Sequence, residues 1–164
     1  MIKDRGKQKV SKLQLLEEIL RSHGLPLTVQ RRVILEAMLG RHDHPTADKV
    51  FEELRTARPE IGRATVYRTL ETFVGLGLLR RVCHPGSSVR YDPNTERHHH
   101  LVCLGCQGMV DFEDPALNRI PLPAARALGF HISDYTIQFR GLCADCRKRK
   151  KTSTSKEGKR EKRR

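Results

Sequence analysis

The sequence predicts an α+β protein with two domains, the first mainly helical and the second a smaller α/β domain. Apolar residues recur at helical spacing as far as Gly77, after which short β-like runs begin. The turn-rich stretch Asp92–Thr95 follows, and both Cys-x-x-Cys pairs lie beyond it. We therefore predict a basic extension at residues 1–12, a first domain at 13–92 and a second domain at 93–146. Residues 147–164 are predicted to be a disordered, low-complexity basic tail.

The first domain is expected to contain four amphipathic helices. Each carries apolar residues at three- and four-residue spacing, and each ends at a glycine or ahead of a proline. Thr28 and Thr46 precede the second and third helices, where a threonine hydroxyl can accept a hydrogen bond from a free backbone amide. The four helices are expected at about 13–24, 28–40, 46–58 and 63–75.

A β-hairpin is expected after the fourth helix. Its strands would be Leu78–Cys83 and Ser88–Tyr91, and the turn residues His84-Pro85-Gly86-Ser87 separate them. Helices followed by such a hairpin are typical of a winged helix. In that DNA-binding fold the last helix before the wing enters the major groove.

Three strands and one helix are expected in the second domain. The strands are predicted at His98–Leu104, Gly108–Phe112 and His131–Arg140. Residues 115–128 have helical character but contain Pro121 and Pro123, which remove backbone donors and break helices. We therefore expect a shortened or irregular helix there.

The formal net charge of +13 is concentrated at the two ends of the chain. Residues 147–164 carry +9 and residues 1–12 carry +4, so the body sums to zero. Such tails predict salt-dependent attraction to phosphates, and specific recognition must come from the folded body. The sequence has no apolar run of about 18 residues and no apolar segment in its charged start. We expect a cytoplasmic protein without a membrane partner.

Two Cys-x-x-Cys pairs predict a structural zinc site. Cys103 and Cys106 form one pair, and Cys143 and Cys146 form the other. Each pair can turn two thiolates toward one ion, and two pairs complete a closed tetrahedral shell. Redox-active or unliganded cysteine pairs are the alternative, although cytoplasmic cysteine pairs are more often metal ligands than disulfides. The fifth cysteine, Cys83, is expected to be a small buried hydrophobic residue.

A second, mixed cluster of histidines and aspartates is a candidate site for a divalent metal ion. Alternation along a strand places His98 and His100 on one face, with His99 on the other. Carboxylates at the domain junction and on the next strand, and a histidine before the third helix, could complete the shell. The candidate ligands are His44, Asp92, His98, His100 and Asp111. Such a shell suits Fe(II), Mn(II) or Zn(II), and a solvated loop with surface carboxylates is the alternative.

These residues resemble the motifs of the ferric uptake regulator family. The resemblance covers about Leu13 to Cys146 and rests on the two cysteine pairs and on LTVQRR at 27–32, HPTAD at 44–48, ATVYRTL at 64–70 and HHHLVC at 98–103. It implies a winged helix hinged to an α/β dimerisation domain. It also implies a homodimer that binds palindromic double-stranded DNA operators and represses transcription when metal is bound.

Asp92 at the hinge is similar to the peroxide-sensing branch of that family, because iron-sensing members more often have glutamate there. The resemblance implies that the five candidate ligands hold Fe(II) or Mn(II). Hydrogen peroxide would then oxidise His44 or His98, release the metal and relieve repression. Tyr135 occupies the position of a histidine that some relatives use in a second metal site, so we expect that site to be missing.

The DNA contacts are expected on the fourth helix, with phosphate contacts on the second. The candidates are Arg63, Thr65, Tyr67 and Arg68 on the fourth helix, and Arg31 and Arg32 on the second. The alternative is that Arg63 or Arg68 only solvates an exposed helix face. The resemblance favours Tyr67 and Arg68.

Three other functions remain open from the sequence. The first is a zinc- or iron-responsive regulator of the same family. The second is a metal-dependent enzyme, which is disfavoured because the sequence has no nucleophile–base motif and no glycine-rich phosphate loop. The third is a basic zinc-binding protein that coats nucleic acid, which the neutral body disfavours.

Overall fold

The computed structural model describes residues 5–83, 88–123, 128–132 and 134–150, with side chains described from residue 13 onward. The chain divides into two compact units, Met1–Glu96 and Arg97–Arg164. The turn predicted at 84–87 and residues 151–164 of the basic tail lie outside the described residues. Within the described part of the chain, no helix is both long enough and apolar enough to cross a membrane.

Four α-helices build the first unit, as predicted: α1 Arg5–Ser22, α2 Val29–Met38, α3 Ala47–Leu54 and α4 Arg63–Gly75. The helix α1 begins within the predicted basic extension rather than at Leu13. Thr28 and Thr46 are the N-caps of α2 and α3, and their hydroxyls accept hydrogen bonds of 3.2 Å from the amides of Arg31 and Lys49. These caps fix where the two helices start, because each satisfies an amide that has no partner inside the helix.

The core of the first unit joins all four helices to the wing. Its fully buried side chains are Leu16, Leu20, Ile34, Leu35, Met38, Val50, Ile61, Val66, Leu70, Phe73, Leu79 and Tyr91. Burial of each large apolar side chain stabilises the fold by about 1.5–3 kcal/mol relative to exposure. Because Val66, Leu70 and Phe73 of α4 face this core, Tyr67 and Arg68 are left exposed on its outer side.

The wing is a two-stranded antiparallel sheet of β1 (Arg80–Val82) and β2 (Arg90–Asp92), with Arg81 opposite Tyr91. Both strands are shorter than predicted, and β2 reaches Asp92. The prediction that Cys83 is buried is wrong. This residue follows the last paired residue of β1 and is exposed, because pairing with β2 ends at Val82. Four helices followed by this hairpin confirm the winged-helix prediction.

The second unit contains a three-stranded sheet with the order β4-β3-β5. The central strand β3 (His99–Cys103) pairs antiparallel with β4 (Met109–Phe112) and parallel with β5 (Gln138–Gly141). In this register His100 lies opposite Asp111, and Cys103 lies opposite Gly141. Directly opposed residues share a face of the sheet, so the register places one imidazole beside one carboxylate. The combination of helices and sheets confirms the α+β class.

One prediction in the second unit is wrong, and another is confirmed. In the described residues the strand predicted at His131–Arg140 pairs only from Gln138 onward, and the Tyr135 hydroxyl ahead of it donates to the carbonyl of Leu117 at 2.5 Å. The helix at 115–128, expected to be shortened or irregular, is a 3-10 turn at Leu117–Arg119 in the described residues, as predicted, and 124–127 lie outside them. Pro121 and Pro123 follow this turn and cannot donate to a continuing helix.

Residues 144–150 form a further helix, α5, which carries the last cysteine. Residues 147–150 were expected to belong to the disordered tail, and they are helical instead. The backbone amide of Arg147 donates to the carbonyl of Cys143 at 2.9 Å, which continues the first turn of α5 past Cys146. The ordered chain therefore extends beyond the cysteine cluster.

Candidate metal centres

The four cysteines of the two pairs come together at one end of the three-stranded sheet. Cys103 ends β3, and Cys143 follows β5. Because β3 and β5 are parallel neighbours, both pairs lie beyond the carboxyl ends of adjacent strands and meet there. The sulfur atoms of Cys103, Cys106, Cys143 and Cys146 all lie within 4.8 Å of one another.

The sulfur spacing fits a zinc ion. The Sγ atoms of Cys106 and Cys143 are 3.9 Å apart. A tetrahedral zinc site with Zn–S bonds of about 2.3 Å separates its sulfurs by about 3.8 Å. Four sulfur ligands leave no open coordination position, so zinc held here would be structural.

The protein environment acts differently on the two buried sulfurs. The amide of Cys143 donates to Cys103 Sγ at 3.2 Å. Backbone donors, led by that amide, lower the pKa of the Cys103 thiol to about 6. Burial raises the pKa of the Cys146 thiol to about 11. Because zinc binds the thiolate form, the site already favours that form at Cys103, whereas Cys146 must release its proton as the ion binds.

Gly105 lies inside the first cysteine pair and packs directly against the second. A Cβ atom at Gly105 would lie 2.9 Å from both Cβ and Sγ of Cys146, and 3.3 Å from Cδ2 of Leu142. Real Cβ contacts are essentially never that short, so a side chain here must displace the Cys146 sulfur. This constraint explains why a glycine stands between the first two ligands.

Replacement of Gly105 by alanine is expected to weaken zinc binding by at least roughly tenfold, because a ligand sulfur must shift. The measurement is zinc competition with a chromophoric chelator. The matched control is Gly141→Ala, since a Cβ atom at Gly141 meets nothing within 4 Å among the described residues. Equal zinc affinity in the two variants would contradict the close packing of the cysteine pairs.

In the second unit, two histidines and an aspartate form a buried cluster on one face of the sheet. His98 Nε2 lies 3.0 Å from His100 Nε2 and 3.5 Å from Asp111 Oδ1. The two histidines are 2% and 4% exposed. His99 faces the other way, where its Nδ1 accepts a 3.3 Å hydrogen bond from the amide of Ile137. Two converging imidazole nitrogens beside a carboxylate are a donor set suited to a divalent transition metal.

In the first unit, a histidine and an aspartate form a second buried pair. His44 Nε2 lies 3.5 Å from Asp92 Oδ2, and both side chains are 1% exposed. The other carboxylate oxygen, Oδ1, accepts a 2.8 Å hydrogen bond from the amide of Asn94. The carboxylate orientation is thereby fixed, with Oδ2 directed toward the imidazole.

The backbone at His44 adopts a left-handed conformation with φ of 45°. Two contacts from β2 hold it: Arg90 Nη1 donates to the His44 carbonyl at 3.0 Å, and the Tyr91 amide donates to the Pro45 carbonyl at 3.0 Å. Such a conformation costs about 1–3 kcal/mol for a residue other than glycine. The conformation that places this imidazole beside Asp92 therefore lowers the stability of the fold.

An ion-pair network anchors the chain just before His44. Arg41 donates to Asp43 at 2.7 Å and to Glu53 of α3 at 2.5 Å, and Lys49 reaches the same Asp43 carboxylate at 2.6 Å. The hydrogen bond from Arg41 holds the pKa of Asp43 far below its usual range. The network ties the connection between α2 and α3 to α3, which fixes the entry to the strained residue.

Tyr91 connects β2 to α4. Its side chain is fully buried, and its hydroxyl donates to Glu71 Oε1 at 2.6 Å. Burial is the main cause that raises the pKa of the Tyr91 phenol. Sequence reasoning missed Arg41, Arg90 and Tyr91 as supports of the candidate ligands, because none of them carries a metal-ligand signature and their roles depend on contacts distant in sequence.

The candidate DNA-contacting residues differ in their exposure and in the hydrogen bonds and ion pairs that they form within the protein. Arg63 Nη1 donates to Asp48 at 2.6 Å, and its guanidinium lies 5.2 Å from the centre of the Phe51 ring. Arg31 Nη1 donates to the Pro26 carbonyl, and Arg32 pairs with Glu36. Thr65 is partly buried, whereas Tyr67 and Arg68 are exposed.

The sequence profile of the Ferric uptake regulator family matches residues 22–140 of this chain. The chain belongs to the ferric uptake regulator family. The profile covers α2 to α4, the wing, the three-stranded sheet as far as β5, the first cysteine pair and both His/Asp groups. This confirms the family resemblance of the sequence motifs.

Relatives within the ferric uptake regulator family include regulators of different kinds. The peroxide-responsive repressor PerR of Staphylococcus aureus is 35% identical over 127 residues, which cover 77% of this chain and 86% of that protein. The ferric uptake regulator of Vibrio cholerae has a solved structure that is 29% identical, with a TM-score of 0.64 over 77% of this chain and 98% of that chain. The Helicobacter pylori ferric uptake regulator has a TM-score of 0.72 over 85% of this chain and 93% of that chain, and its 19% identity indicates the shared fold alone.

Proposed function

We propose that this protein is a metal-dependent DNA-binding transcription repressor that senses peroxide through Fe(II) or Mn(II) at a His/Asp site, and that it is not an enzyme. The observation that carries the proposal is the pairing of buried imidazoles with carboxylates in each unit of a winged-helix protein. The relative from Staphylococcus aureus supports the peroxide signal, because it is named a peroxide-responsive repressor.

The proposed regulatory ligands are His44 and Asp92 from the first unit, and His98, His100 and Asp111 from the second. Their support is that each group is already assembled within its own unit, with donor atoms 3.0–3.5 Å apart. These five residues would hold the Fe(II) or Mn(II) ion, whose positive charge would attract carboxylates and imidazoles of both groups. An ion shared by two units favours one arrangement of those units over all others, and that differential affinity sets the extent of switching.

Structural zinc is proposed at Cys103, Cys106, Cys143 and Cys146. It is supported by the sulfur spacing and by a candidate ligand group that, among the described residues, consists of four sulfur atoms. The two proposed metals therefore have different tasks. The zinc ion maintains the second unit, and the His/Asp ion reports the signal.

Operator recognition is proposed through α4 in a symmetric homodimer. The exposed Tyr67 and Arg68 are the principal contacts to palindromic DNA, and Arg31, Arg32, Arg63 and Thr65 would support them. One winged helix offers few base contacts, so two copies reading two half-sites are needed.

An exposed apolar row on the sheet of the second unit supports the homodimer. Val110, Leu101 and Phe139 lie opposite one another across β4, β3 and β5, and they are 51%, 40% and 43% exposed. A second copy that covers this row would remove its apolar side chains from water.

The deciding experiment compares the mass of the Fe(II)-loaded protein before and after brief exposure to hydrogen peroxide, with a Mn(II)-loaded control. We expect a gain of one oxygen atom on the peptides that carry His44 or His98, and only in the iron-loaded sample. These two rings are the ones that the resemblance to the peroxide-sensing branch implies, and both are buried candidate ligands that would contact the iron. Absence of iron-dependent oxidation would instead assign the protein to the zinc- or iron-responsive regulators of its family.

A further inference from the structure

The side chain of Arg149 contacts a sulfur atom of the candidate zinc site directly. Arg149 lies on α5, three residues after the last cysteine, and its Nη2 donates a 3.0 Å hydrogen bond to Cys146 Sγ. The spacing of three residues places both side chains on the same face of the helix. An arginine guanidinium is always protonated in proteins, so this donor is cationic.

The four sulfurs differ in how their negative charge is stabilised. Cys103 and Cys146 are buried, at 7% and 8% exposure, and have little access to hydrogen bonds from water. Cys103 receives the amide of Cys143, and Cys146 receives the guanidinium of Arg149. Cys106 and Cys143 are exposed and can be solvated. Each buried sulfur therefore has its own protein donor.

A zinc ion with four thiolates carries a net charge of −2, and this excess negative charge makes the sulfurs nucleophilic. A cationic hydrogen-bond donor withdraws charge from the sulfur that it contacts, which stabilises the metal–sulfur bond and slows attack by the sulfur on an oxidant. The oxidation at issue transfers one oxygen from hydrogen peroxide to the thiolate. The O–O bond breaks, the sulfur becomes a sulfenate, water is released and zinc loses a ligand.

We propose that Arg149 is a positioning residue of the zinc site, which holds Cys146 as a ligand and protects the zinc–sulfur bond from hydrogen peroxide. The effect depends on the hydrogen bond to sulfur, so a positive charge on the same helix does not supply it without that contact. Such protection would let hydrogen peroxide oxidise the regulatory site without oxidising the zinc-bound sulfurs. This difference is needed because the second unit requires its zinc site to stay folded. The inference rests on the zinc site and the peroxide signal of the proposed function, and its test needs no regulatory metal.

The test uses the full-length protein with zinc bound and no iron, and follows zinc release with a metallochromic indicator after addition of hydrogen peroxide. Arg149→Gln is expected to release zinc roughly tenfold faster than the unmodified protein, which is the scale of effect that residues contacting metal ligands commonly have. Arg147→Gln is the matched control. It removes the same charge from the same helix, and in the described part of the chain the Arg147 side chain has no contact with a zinc-site sulfur.

Ionic strength separates a hydrogen bond from a general effect of charge. At high salt the difference between Arg149→Gln and Arg147→Gln is expected to persist, because a direct contact is screened far less than a distant charge. Arg149→Lys keeps the charge without the planar guanidinium and is expected to fall between the two. Equal release rates for Arg149→Gln and Arg147→Gln would overturn the proposal, as would a difference that disappears at high salt. Circular dichroism before peroxide addition verifies that each variant starts from the same fold.

Discussion

Replacement of Asp92 by alanine is expected to abolish metal-dependent operator binding while leaving the structural zinc in place. Asp92 Oδ2 faces His44 Nε2 at 3.5 Å in a buried pair, so its loss removes an oxygen donor from the proposed regulatory site. A coupling of about 2 kcal/mol between metal and DNA would correspond to an approximately thirtyfold change in operator affinity. Fluorescence anisotropy with a selected palindromic DNA, with and without Mn(II), measures that ratio.

A second substitution and a control make the result specific. Asp92→Asn keeps an acceptor for the Asn94 amide but loses the charge, and it is expected to lose most of the metal response as well. Glu113→Ala removes an exposed carboxylate near the end of β4 and is expected to retain the full response. Normal metal-dependent binding by Asp92→Ala, with unchanged zinc content, would remove Asp92 from the proposed ligand set.

Removal of the structural zinc is expected to unfold the second unit. Its sheet has three strands of 5, 4 and 4 residues, and few apolar side chains are buried against it, Val102 and Met109 among them. A structural zinc ion contributes on the order of 10 kcal/mol to folding, which is comparable to the whole stability of a small domain. Cys143→Ser or a strong chelator should therefore eliminate the β-sheet signal in circular dichroism, while the helices of the first unit remain.

Cys83→Ser is the matched control for this experiment, because it removes a thiol that lies in the first unit and outside the cysteine cluster. It should bind zinc and melt like the unmodified protein. If Cys143→Ser retained its sheet and its melting temperature, the four cysteines would not form a site on which folding depends.

Much of the local structure follows from patterns that the sequence displays directly. Thr28 and Thr46 cap their helices as predicted, because capping depends on a residue and its neighbours within one turn. The two cysteine pairs are also recognisable locally, because the two-residue spacing within each pair is visible in the sequence. The family follows from the order of such local motifs, and the profile match at residues 22–140 confirms it.

Features that depend on distant parts of the chain could not be predicted in this way. Pairing of β5 begins at Gln138 because of its register with His100, and the sequence alone does not encode that partner. Cys83 is exposed because strand pairing stops at Val82. The end of that pairing depends on where the opposite strand begins, which the local sequence around Cys83 does not show. The contact between Arg149 and Cys146 was not predicted, because the composition of residues 147–150 indicates a disordered basic tail rather than a helix.

The left-handed backbone at His44 lowers the stability of the fold, while the side chain at the same position belongs to the proposed regulatory site. Pro45 follows it and further narrows the conformations open to this residue. Glycine at position 44 would relieve the backbone strain, but it would also remove an imidazole that the proposed regulatory site requires. Selection of variants by melting temperature alone is therefore expected to favour loss of His44 and to yield a sturdier protein that no longer responds to its signal.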